Sequence, residues 1–449
     1  MPRRFLLLAL LGLAAGQPAA GQDPARVNFD SYTLANGLRV ILSPDTTVQV
    51  VTVNVWYNVG SRNERPGRTG FAHLFEHMLF QGSANVPKGA HMQWIERAGG
   101  NLNGSTTPDR TNYYQTLPSN RLNLGLWLEA DRMRSLAVTE ENLQNQTEAV
   151  KEEKRLNFEN PPYVGAYLDG LTAIYDSTSC FAYSHTPIGS MADLDAATTA
   201  DVKEFFDLYY APNNAILTIT GDFAPAEARA LVEQYFGSIP RGQEPPPVSC
   251  DQPFNTGEKR LRVADAKATL PAMLAIYRVP PTDHADIPAL ELLSSILGGG
   301  ESSRLNRALV RDSRAAVAAQ VAFFPFGPVR GPGAFALLGI SNQGVSPDSV
   351  EVLMRREVAR VVESGVTEEE LTKARNIYRA GAIGSRQTTM GVAEELQSAN
   401  LFFGDPDAVN RQLPRYMAVT VADIQRVAAR YLRADNSVVV LIATPGATP

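Results

Sequence analysis

Residues 198–219, TTADVKEFFDLYYAPNNAILTI, and residues 420–441, TVADIQRVAARYLRADNSVVVL, follow one pattern. Each stretch predicts a helix that begins after a Thr, then a turn that contains Asn, and then a strand rich in β-branched and apolar residues. Thr, Ala, Asp, Tyr and Asn recur at five equivalent positions with one constant offset. Identities in register over a whole helix–turn–strand unit indicate a duplicated domain.

The duplication divides the chain into two similar α+β halves. A chain of 449 residues is too long for one ordinary core, which agrees with two domains. Residues 240–255 contain three consecutive prolines and show no periodic pattern, which predicts a stiff surface linker. We therefore expect an N-terminal domain over 23–239 and a homologous C-terminal domain over 256–449.

The first 21 residues differ in kind from the rest. Arg3 and Arg4 precede an apolar run at 5–15, and small residues follow at 19–21. This order is typical of a cleavable signal peptide, and the run is too short to span a bilayer comfortably. An uncleaved N-terminal anchor is the alternative. No later segment is long and apolar enough to span a membrane, so we expect a periplasmic or secreted protein without stable membrane insertion.

Composition narrows the classes of function. Apolar residues make up 44% of the chain and charged residues 20%, as in a soluble globular protein. The net charge of −6 gives no electrostatic reason to expect nucleic acid or an anionic membrane as a partner. The two cysteines, Cys180 and Cys250, either form one disulfide in an oxidising compartment or stay unpaired thiols, and both alternatives remain open.

The candidate chemistry lies in His73-Leu74-Phe75-Glu76-His77. Residues four apart share one face of a helix, so both imidazoles can reach one metal ion, with Glu76 beside them. H-x-x-E-H is the inverted zinc-peptidase signature, and these groups can hold Zn²⁺ and deprotonate its water. A chance match between surface histidines is the alternative, but it is rare in a chain with five His. The matching helix of the second half, from Ile287, contains no His, so only the first half can carry this site.

A catalytic zinc usually has three protein ligands. The three other histidines, at 91, 185 and 284, each stand alone, and isolated histidines are typical of surface or capping positions. The predicted helix 140–158, which follows Thr139 as its N-cap, is a better source of the third ligand because it carries several Glu.

Two of these glutamates, Glu148 and Glu152, lie on one side of that helix with basic neighbours, as expected of a solvated face. Glu153 instead shares a face with Ala149 and Val150, where a carboxylate is costly unless it is paired or metal-bound. We predict Glu153 as the third ligand, with Glu152 as the alternative. Gln146, two turns earlier on the same side, could support the site from behind the ligands.

The motif His73-x-x-Glu76-His77, followed by Ala149-Val150-Lys151-Glu152-Glu153, resembles the pitrilysin family of zinc metallopeptidases, which includes insulinases and the mitochondrial processing peptidase. Further matching residues surround the motif and extend into the second half. They are Val59-Gly60-Ser61-Arg62, Gly67, Thr69-Gly70, Met78, Gly82, Asn103, Thr106, Thr111, Tyr113 and Gly298-Gly299-Gly300-x-Ser302-Ser303-Arg304-Leu305. The likeness covers nearly the whole mature chain and points to the bacterial two-domain type of subunit.

The resemblance implies an architecture and a set of roles. It implies two homologous domains, each an antiparallel sheet with helices on one face, and a zinc ion held by His73, His77 and Glu153. Glu76 would be the general base of an endopeptidase that cleaves peptides or small unfolded proteins. The segment 101–106 would be an edge strand to which an extended substrate adds. The candidate substrate contacts there are Asn101, Leu102, Asn103 and Gly104.

This sequence departs from the family pattern in two places, and each departure removes a polar or charged side chain that the active site of many members contains. Gln146 stands where active members often carry an acidic residue, and Val310 and Val317 stand where many members carry an Arg and a Tyr. Valine cannot donate a hydrogen bond to an oxyanion, and the adjacent Arg311 would point elsewhere on a helix. The family encloses its substrate between four such domains, so this chain should dimerise.

The missing pair favours a heterodimer with a related subunit that supplies the Arg and the Tyr, and a homodimer is the alternative. A catalytically silent structural or substrate-presenting subunit of the same fold is the other class of function. The complete His73–His77 motif speaks against it. A zinc hydrolase of small molecules is disfavoured by the twofold domain plan.

Overall fold

The computed structural model describes residues 26–250, 252 and 257–445, so the predicted signal peptide lies outside the described residues. The first half contains a six-stranded sheet and eight helices among those residues. The strands are β1 (Asp30–Thr33), β2 (Arg39–Pro44), β3 (Val50–Tyr57), β4 (Asn101–Thr106), β5 (Thr111–Pro118) and β6 (Ala215–Gly221). The helices are α1 (Phe71–Met78), α2 (Ala90–Arg97), α3 (Leu122–Arg134), α4 (Glu140–Lys154), α5 (Val164–Ala173), α6 (Met191–Asp195), α7 (Thr199–Tyr209) and α8 (Pro225–Phe236).

The second half contains a five-stranded sheet and six helices in the part of the chain that the structure describes. The strands are β7 (Lys259–Ala264), β8 (Ala272–Val279), β9 (Ala316–Phe323), β10 (Gly333–Ser341) and β11 (Ser437–Ala443). The helices are α9 (Ile287–Gly298), α10 (Pro347–Ser364), α11 (Glu368–Ser385), α12 (Thr389–Phe403), α13 (Ala408–Met417) and α14 (Val421–Tyr431). Short π-helical turns follow α4 at Arg155–Glu159 and occupy Asn306–Asp312.

The two sheets share one topology. The first has the order β1-β2-β6-β3-β5-β4 and the second β7-β11-β8-β10-β9, so β9 occupies the place of β4 at one edge. The predicted α+β class and duplication are confirmed. Both sheets are mixed, however, and not purely antiparallel, because β2 pairs with β6 in parallel and β7 pairs with β11 in parallel. The last strand of each half, β6 or β11, returns beside β2 or β7 after a long connection that contains helices, which permits the parallel pairing.

The repeated sequence unit makes the same contacts in both halves. Thr198 and Thr420 each cap their helix through a reciprocal pair of hydrogen bonds with the Asp three residues on. The side-chain amides of Asn214 and Asn436 each donate a 2.8 Å hydrogen bond to the carbonyl of the Tyr five residues before. The shared residues therefore begin the helix and join its end to the following strand in the same way in each domain.

Each sheet is covered by helices on both faces, which differs from the predicted single helical layer. One face of the first sheet packs against helices of its own half through a large core that includes Leu74, Phe75 and Met78. The other face packs against α12 of the second half, where Trp56 and Ile216 meet Leu396 and Phe402. The second sheet receives α5 of the first half in the same way. This exchange buries apolar surface that each sheet would otherwise expose on its second face.

The predicted linker has no helix or strand over residues 240–250. A disulfide joins Cys250 in this segment to Cys180, with the two Cα atoms 4.2 Å apart, which decides the alternative that the sequence left open. The domain boundaries at 239 and 256 stay a prediction. Among the described residues every helix is too short or too polar to cross a bilayer.

Candidate metal centre

Helix α1 positions both predicted histidine ligands. Leu74, Phe75 and Met78 are fully buried on its inner side, so the helix can turn His73 and His77 only toward its other side. The two imidazole rings lie 4.8 Å apart between centroids and nearly perpendicular, at 83°. Four-residue spacing therefore brings the two rings together, as the motif predicts.

Glu153 reaches this pair from α4. Its Oε2 lies 3.7 Å from His73 Nε2 and 3.3 Å from His77 Nε2. One donor atom from each of the three residues falls within 4.8 Å of the others. A tetrahedral zinc with bonds of about 2.0–2.1 Å separates its ligand atoms by roughly 3.3 Å. The donor set and its spacing therefore fit a zinc ion with three protein ligands.

The protonation states around the three donors suit metal binding. Burial and the neighbouring His77 lower the pKa of His73 to about 4, so its imidazole is neutral near pH 7. The hydrogen bond with His77 lowers the pKa of Glu153, which keeps the carboxylate ionised. Burial works to lower the pKa of His77, but its hydrogen bond with Glu153 and the charge of Glu76 outweigh it and raise the value. A cation bound here would take the place of the His77 proton.

Glu152 and Glu153, the two candidates for the third ligand, differ in exposure and in their partners. Glu152 is 57% exposed and pairs with Arg155 at 3.1 Å, as expected of a solvated face. Glu153 is 33% exposed and lies beyond Val150, which is buried, although Ala149 on the predicted packed face is exposed. The Gln146 side chain is buried and forms a hydrogen bond with the side chain of His77. The supporting position predicted for Gln146 agrees with this contact.

None of the three isolated histidines lies among the donor atoms of this centre, within the described residues. His91 is buried and its Nε2 lies 3.1 Å from Gln115 Oε1, so the expected surface position is wrong for this residue. His284 Nδ1 accepts the Asp286 N–H at 3.0 Å at the beginning of α9, a capping contact. His185 is drawn into the buried network described below.

Glu76 points from α1 to the edge strand β4. Its Oε2 accepts a 2.7 Å hydrogen bond from the Thr106 hydroxyl. A Cβ added at Gly104 would lie 3.1 Å from Glu76 Cγ, so the carboxylate side chain passes directly over the backbone of that glycine. Burial raises the pKa of Glu76, while the Thr106 hydrogen bond works to lower it.

The strand β4 closes the first sheet on one side. It pairs with β5 along one edge, and no described strand pairs with its other edge. The Thr107 N–H donates to Arg110 O at 2.9 Å, so the alternation of an antiparallel ladder turns the backbone groups of Gly104 toward that free edge. There the Gly104 N–H donates to its neighbour Asn103 Oδ1 at 2.9 Å. The other predicted contacts, Asn101 and Leu102, occupy the first positions of the strand.

The side chains of β4 alternate between two faces. Gly104 and Thr106 lie on the face of Glu76, and the pleat therefore directs the side chains of Asn101 and Asn103 to the opposite face. Asn103 thus meets the free edge through its amide oxygen, and it lies on the face away from the metal centre.

A buried carboxylate supports the start of α1. Glu64 accepts the Gly70 N–H at 2.9 Å through one oxygen and the Ala72 N–H at 2.8 Å through the other. Gly70, the N-cap, has a left-handed φ of 87° and offers no capping side chain. His185 Nε2 lies 3.0 Å from the same carboxylate. Glu64 therefore supplies the cap that the helix lacks.

The sequence did not single out Glu64, His185 or the role of Thr106. Glu64 and His185 are 121 residues apart, so no local spacing links them. A Glu six residues before Gly70, an N-cap without a capping side chain, is the one local signal that could have indicated Glu64.

Val310 and Val317, which stand at the positions of the missing Arg and Tyr, lie in different elements of the second half. Val310 lies in the π-helical turn and packs against the second core. Val317 is 47% exposed on β9, the counterpart of β4. The side chain of Arg311 is exposed.

Two protein-family models match parts of this chain. The model of the insulinase family, peptidase family M16, matches residues 39–166, and a model described as the peptidase M16 inactive domain matches residues 196–378. The zinc protease PqqE of Helicobacter pylori is 30% identical over 436 residues, which is 96% of this chain and 96% of that protein.

Solved structures match over the same length. A crystal structure of a protease from Helicobacter pylori has a TM-score of 0.87 and 29% identity, and the match covers 93% of this chain and 99% of that one. The periplasmic protease PqqL from Escherichia coli shares the fold at a TM-score of 0.75 and 17% identity, over 92% of this chain and 47% of that one. With a 30% identical relative along nearly its whole length, the chain belongs to peptidase family M16, the insulinase family.

Proposed function

We propose that this protein is a zinc-dependent endopeptidase that cleaves peptides or small unfolded proteins. The observation that carries the proposal is the meeting of three groups at one edge of the first sheet. These are the donor triad His73, His77 and Glu153, the carboxylate of Glu76, and the edge of β4 with which no described strand pairs. An edge strand binds an extended peptide, and a base beside a metal centre activates water, so the arrangement suits hydrolysis of a peptide bond.

Each group has one role in the proposed reaction. His73, His77 and Glu153 would hold the ion, which when bound would polarise the scissile carbonyl and lower the pKa of water. Glu76 takes the proton from that water and returns it to the leaving amine. Thr106 fixes the rotamer of Glu76 through the 2.7 Å hydrogen bond, so the base faces the edge where the substrate lies.

The substrate would bind as an added strand along residues 101–104. The Gly104 N–H that faces the free edge is occupied by Asn103 Oδ1, so an incoming strand would displace this side chain and take the N–H for its own carbonyl. Gly104 has no side chain that could separate the substrate backbone from Glu76. A side chain at this position would crowd Glu76 Cγ, which lies 3.1 Å from the place of an added Cβ.

The test compares E76Q with E96Q in zinc content and in cleavage of a mixture of quenched peptides. Glu96 is an exposed residue of α2, so E96Q is a matched control for the loss of one carboxylate. E76Q should keep its zinc and lose turnover, whereas E96Q should keep both. Normal turnover by E76Q would overturn the proposed mechanism, and removal of zinc by a chelator should abolish turnover in E96Q.

The active form in the proposal is a dimer, with a related subunit as the favoured partner. By the resemblance to the family, Val310 and Val317 occupy positions where many members carry an Arg and a Tyr. A valine side chain has no donor with which to stabilise a developing oxyanion. A partner that carries this pair would complete the site, and a homodimer is the alternative. Peptide cleavage by the chain alone, and then after addition of a related subunit that carries the pair, distinguishes the two.

A silent subunit of the same fold is the second candidate function. The two valines and the match of residues 196–378 to a model described as an inactive domain favour it. The complete donor triad and Glu76 speak against it. Zinc binding without peptide cleavage, both alone and with the related subunit, would establish this candidate in place of the enzyme.

The proposed location is the periplasm or the exterior of the cell. The proposal rests on the signal-peptide pattern of residues 1–21 and on the disulfide between Cys180 and Cys250, which an oxidising compartment permits. Fractionation of cells that produce the full chain tests it, and mature protein beginning near residue 22 is the expected result.

A further inference from the structure

The segment that contains His185 holds the loop before α1 by hydrogen bonds to both ring nitrogens. His185 Nδ1 lies 3.0 Å from Phe181 O, and Nε2 lies 2.9 Å from Ser61 O and 3.0 Å from Glu64 Oε2. All three partners are oxygen atoms that can only accept from the ring when Glu64 is ionised. Both ring nitrogens must therefore carry a proton, which makes His185 an imidazolium in this arrangement.

This imidazolium neutralises a carboxylate that is removed from water. The Glu64 side chain is 0% exposed and that of His185 is 11% exposed. A buried carboxylate without a partner is strongly unfavourable, so the ion pair allows Glu64 to remain charged where it caps α1. The charged form is the better acceptor for two helix N–H groups, and it also complements the positive end of the helix dipole.

The cap acts next to the metal ligands. Glu64 binds the N–H of Ala72, and His73 is the next residue of the same helical turn. The rotation and the tilt of that first turn determine where His73 points relative to Glu153. A loose first turn would move the imidazole nitrogens away from Glu153 Oε2, which now lies 3.3–3.7 Å from both of them, a separation that suits zinc.

We infer that Glu64 and His185 form a positioning pair that fixes α1 in the orientation in which His73 and His77 bind metal together with Glu153. The inference rests on the proposed zinc site. The pair touches neither the substrate strand nor the metal ligands, and it acts through the backbone of α1.

The second half provides a matched control. Asp286 is a buried carboxylate at the start of α9, and α9 follows its β-strand as α1 follows β3. Its oxygens accept from Arg426 at 2.7 Å and from the Tyr431 hydroxyl at 2.8 Å. D286N therefore removes a comparable buried charge at a comparable helix that carries no metal ligand.

The experiment measures two quantities in the full-length chain for wild type, E64Q, H185Q and D286N. The first is zinc affinity by competition with a chromophoric chelator. The second is hydrogen exchange of the α1 amides without metal. H185Q is the milder variant because its amide keeps one donor for Ser61 O or Glu64. We expect E64Q and H185Q to bind zinc about 10-fold more weakly, the low end of what residues supporting metal ligands contribute, and to exchange the α1 amides correspondingly faster.

D286N should leave both quantities unchanged while it lowers thermal stability. Wild-type zinc affinity and wild-type α1 protection in E64Q and H185Q would overturn the inference and leave the pair a purely structural one. If the wild type itself binds no zinc, the proposed function fails. The exchange measurement then still decides whether the pair fixes α1.

Discussion

The Thr106 hydroxyl on the edge strand donates a 2.7 Å hydrogen bond to Glu76 Oε2 on the metal helix. This contact joins the element that would bind substrate to the element that would carry the base. The orientation of Glu76 therefore depends on β4, and a change in β4 should alter turnover without a change in the metal ligands.

Substitution T106V should lower kcat roughly 10-fold, since a hydrogen bond to a charged group contributes about 1.5–3 kcal/mol. Valine keeps the shape of the side chain, so zinc content and thermal stability should stay near wild type. The matched control is T116V on β5, where the hydroxyl contacts Thr52 at 2.8 Å and does not contact Glu76. Steady-state cleavage of a quenched peptide measures the effect, and equal kcat in the two variants would contradict it.

Substitution G104A should reduce kcat/KM at least as strongly as T106V reduces kcat. The added Cβ would lie 3.1 Å from Glu76 Cγ and 3.1 Å from the carbonyl oxygen of Asn112, and the latter belongs to backbone that cannot easily move. Glu76 must therefore shift, and we expect at least a 10-fold loss of kcat/KM with zinc still bound. G165A is the control, because an added Cβ there meets nothing within 4 Å. Wild-type kcat/KM in G104A would show that Glu76 can shift without loss.

The neighbours Glu153 and Glu152 provide a direct test of the third ligand. E153Q should weaken zinc binding by on the order of 100-fold or more, since even supporting residues contribute 10–100-fold. E152Q should bind zinc like wild type because its carboxylate is 57% exposed and pairs with Arg155. Equilibrium dialysis with zinc alone measures both. The reverse order of affinities would make Glu152 the ligand.

Much of this site could be predicted from the sequence because its parts follow local rules. Four-residue spacing places His73 and His77 on one side of a helix, and the position of Glu153 beyond the buried Val150 separates it from the solvated Glu152. The repeat at 198–219 and 420–441 likewise predicted the duplicated fold, since its shared Thr, Asp and Asn make the same local hydrogen bonds in each half.

The remaining features depend on contacts between distant parts of the chain. The pairing of Glu64 with His185 spans 121 residues, and α12 packs on the first sheet from the other half. The parallel pairing of β2 with β6 also joins strands with most of a domain between them. Spacing and periodicity describe neighbours along the chain, so they carry no signal for such contacts.

The charge of His185 predicts a dependence of stability on pH. Burial works to lower its pKa, but the hydrogen bond and charge of Glu64, with the carbonyls of Phe181 and Ser61, outweigh burial and raise it. A raised histidine pKa stabilises the folded state fully below about pH 6.5, the ordinary value, and this stabilisation is lost as the pH rises through the raised value. Burial also raises the pKa of Glu64, which gives a dependence of the same sign at lower pH.

Urea unfolding at pH 6, 7, 8 and 9 should therefore show a wild-type advantage over H185Q that is largest at pH 6 and shrinks toward pH 9. Its size is about 1.4 kcal/mol for each unit by which the histidine pKa is raised. H91Q is a control of opposite sign, since burial lowers the pKa of folded His91 to about 3 while the unfolded residue still titrates near pH 6.5. Wild-type stability relative to H91Q should therefore rise from pH 6 to 7 and stay constant from pH 7 to 9. A wild-type advantage over H185Q that stays constant from pH 6 to 9 would contradict the imidazolium assignment.

The disulfide between Cys180 and Cys250 should stabilise the metal helix as well as the fold. Cys180 immediately precedes the segment 181–185, in which Tyr183 hydrogen-bonds the buried Asp109 at 3.1 Å and His185 holds Glu64. The disulfide closes a loop between two residues 70 apart in the sequence, which restricts the unfolded chain. The double variant C180S/C250S removes this restriction, so its free energy of unfolding should fall by about 2–4 kcal/mol. If the segment loosens first, hydrogen exchange of α1 should accelerate more than exchange of α9, the equivalent helix of the second half. Equal acceleration in the two helices would mean that the disulfide stabilises the whole chain and does not act on the metal helix.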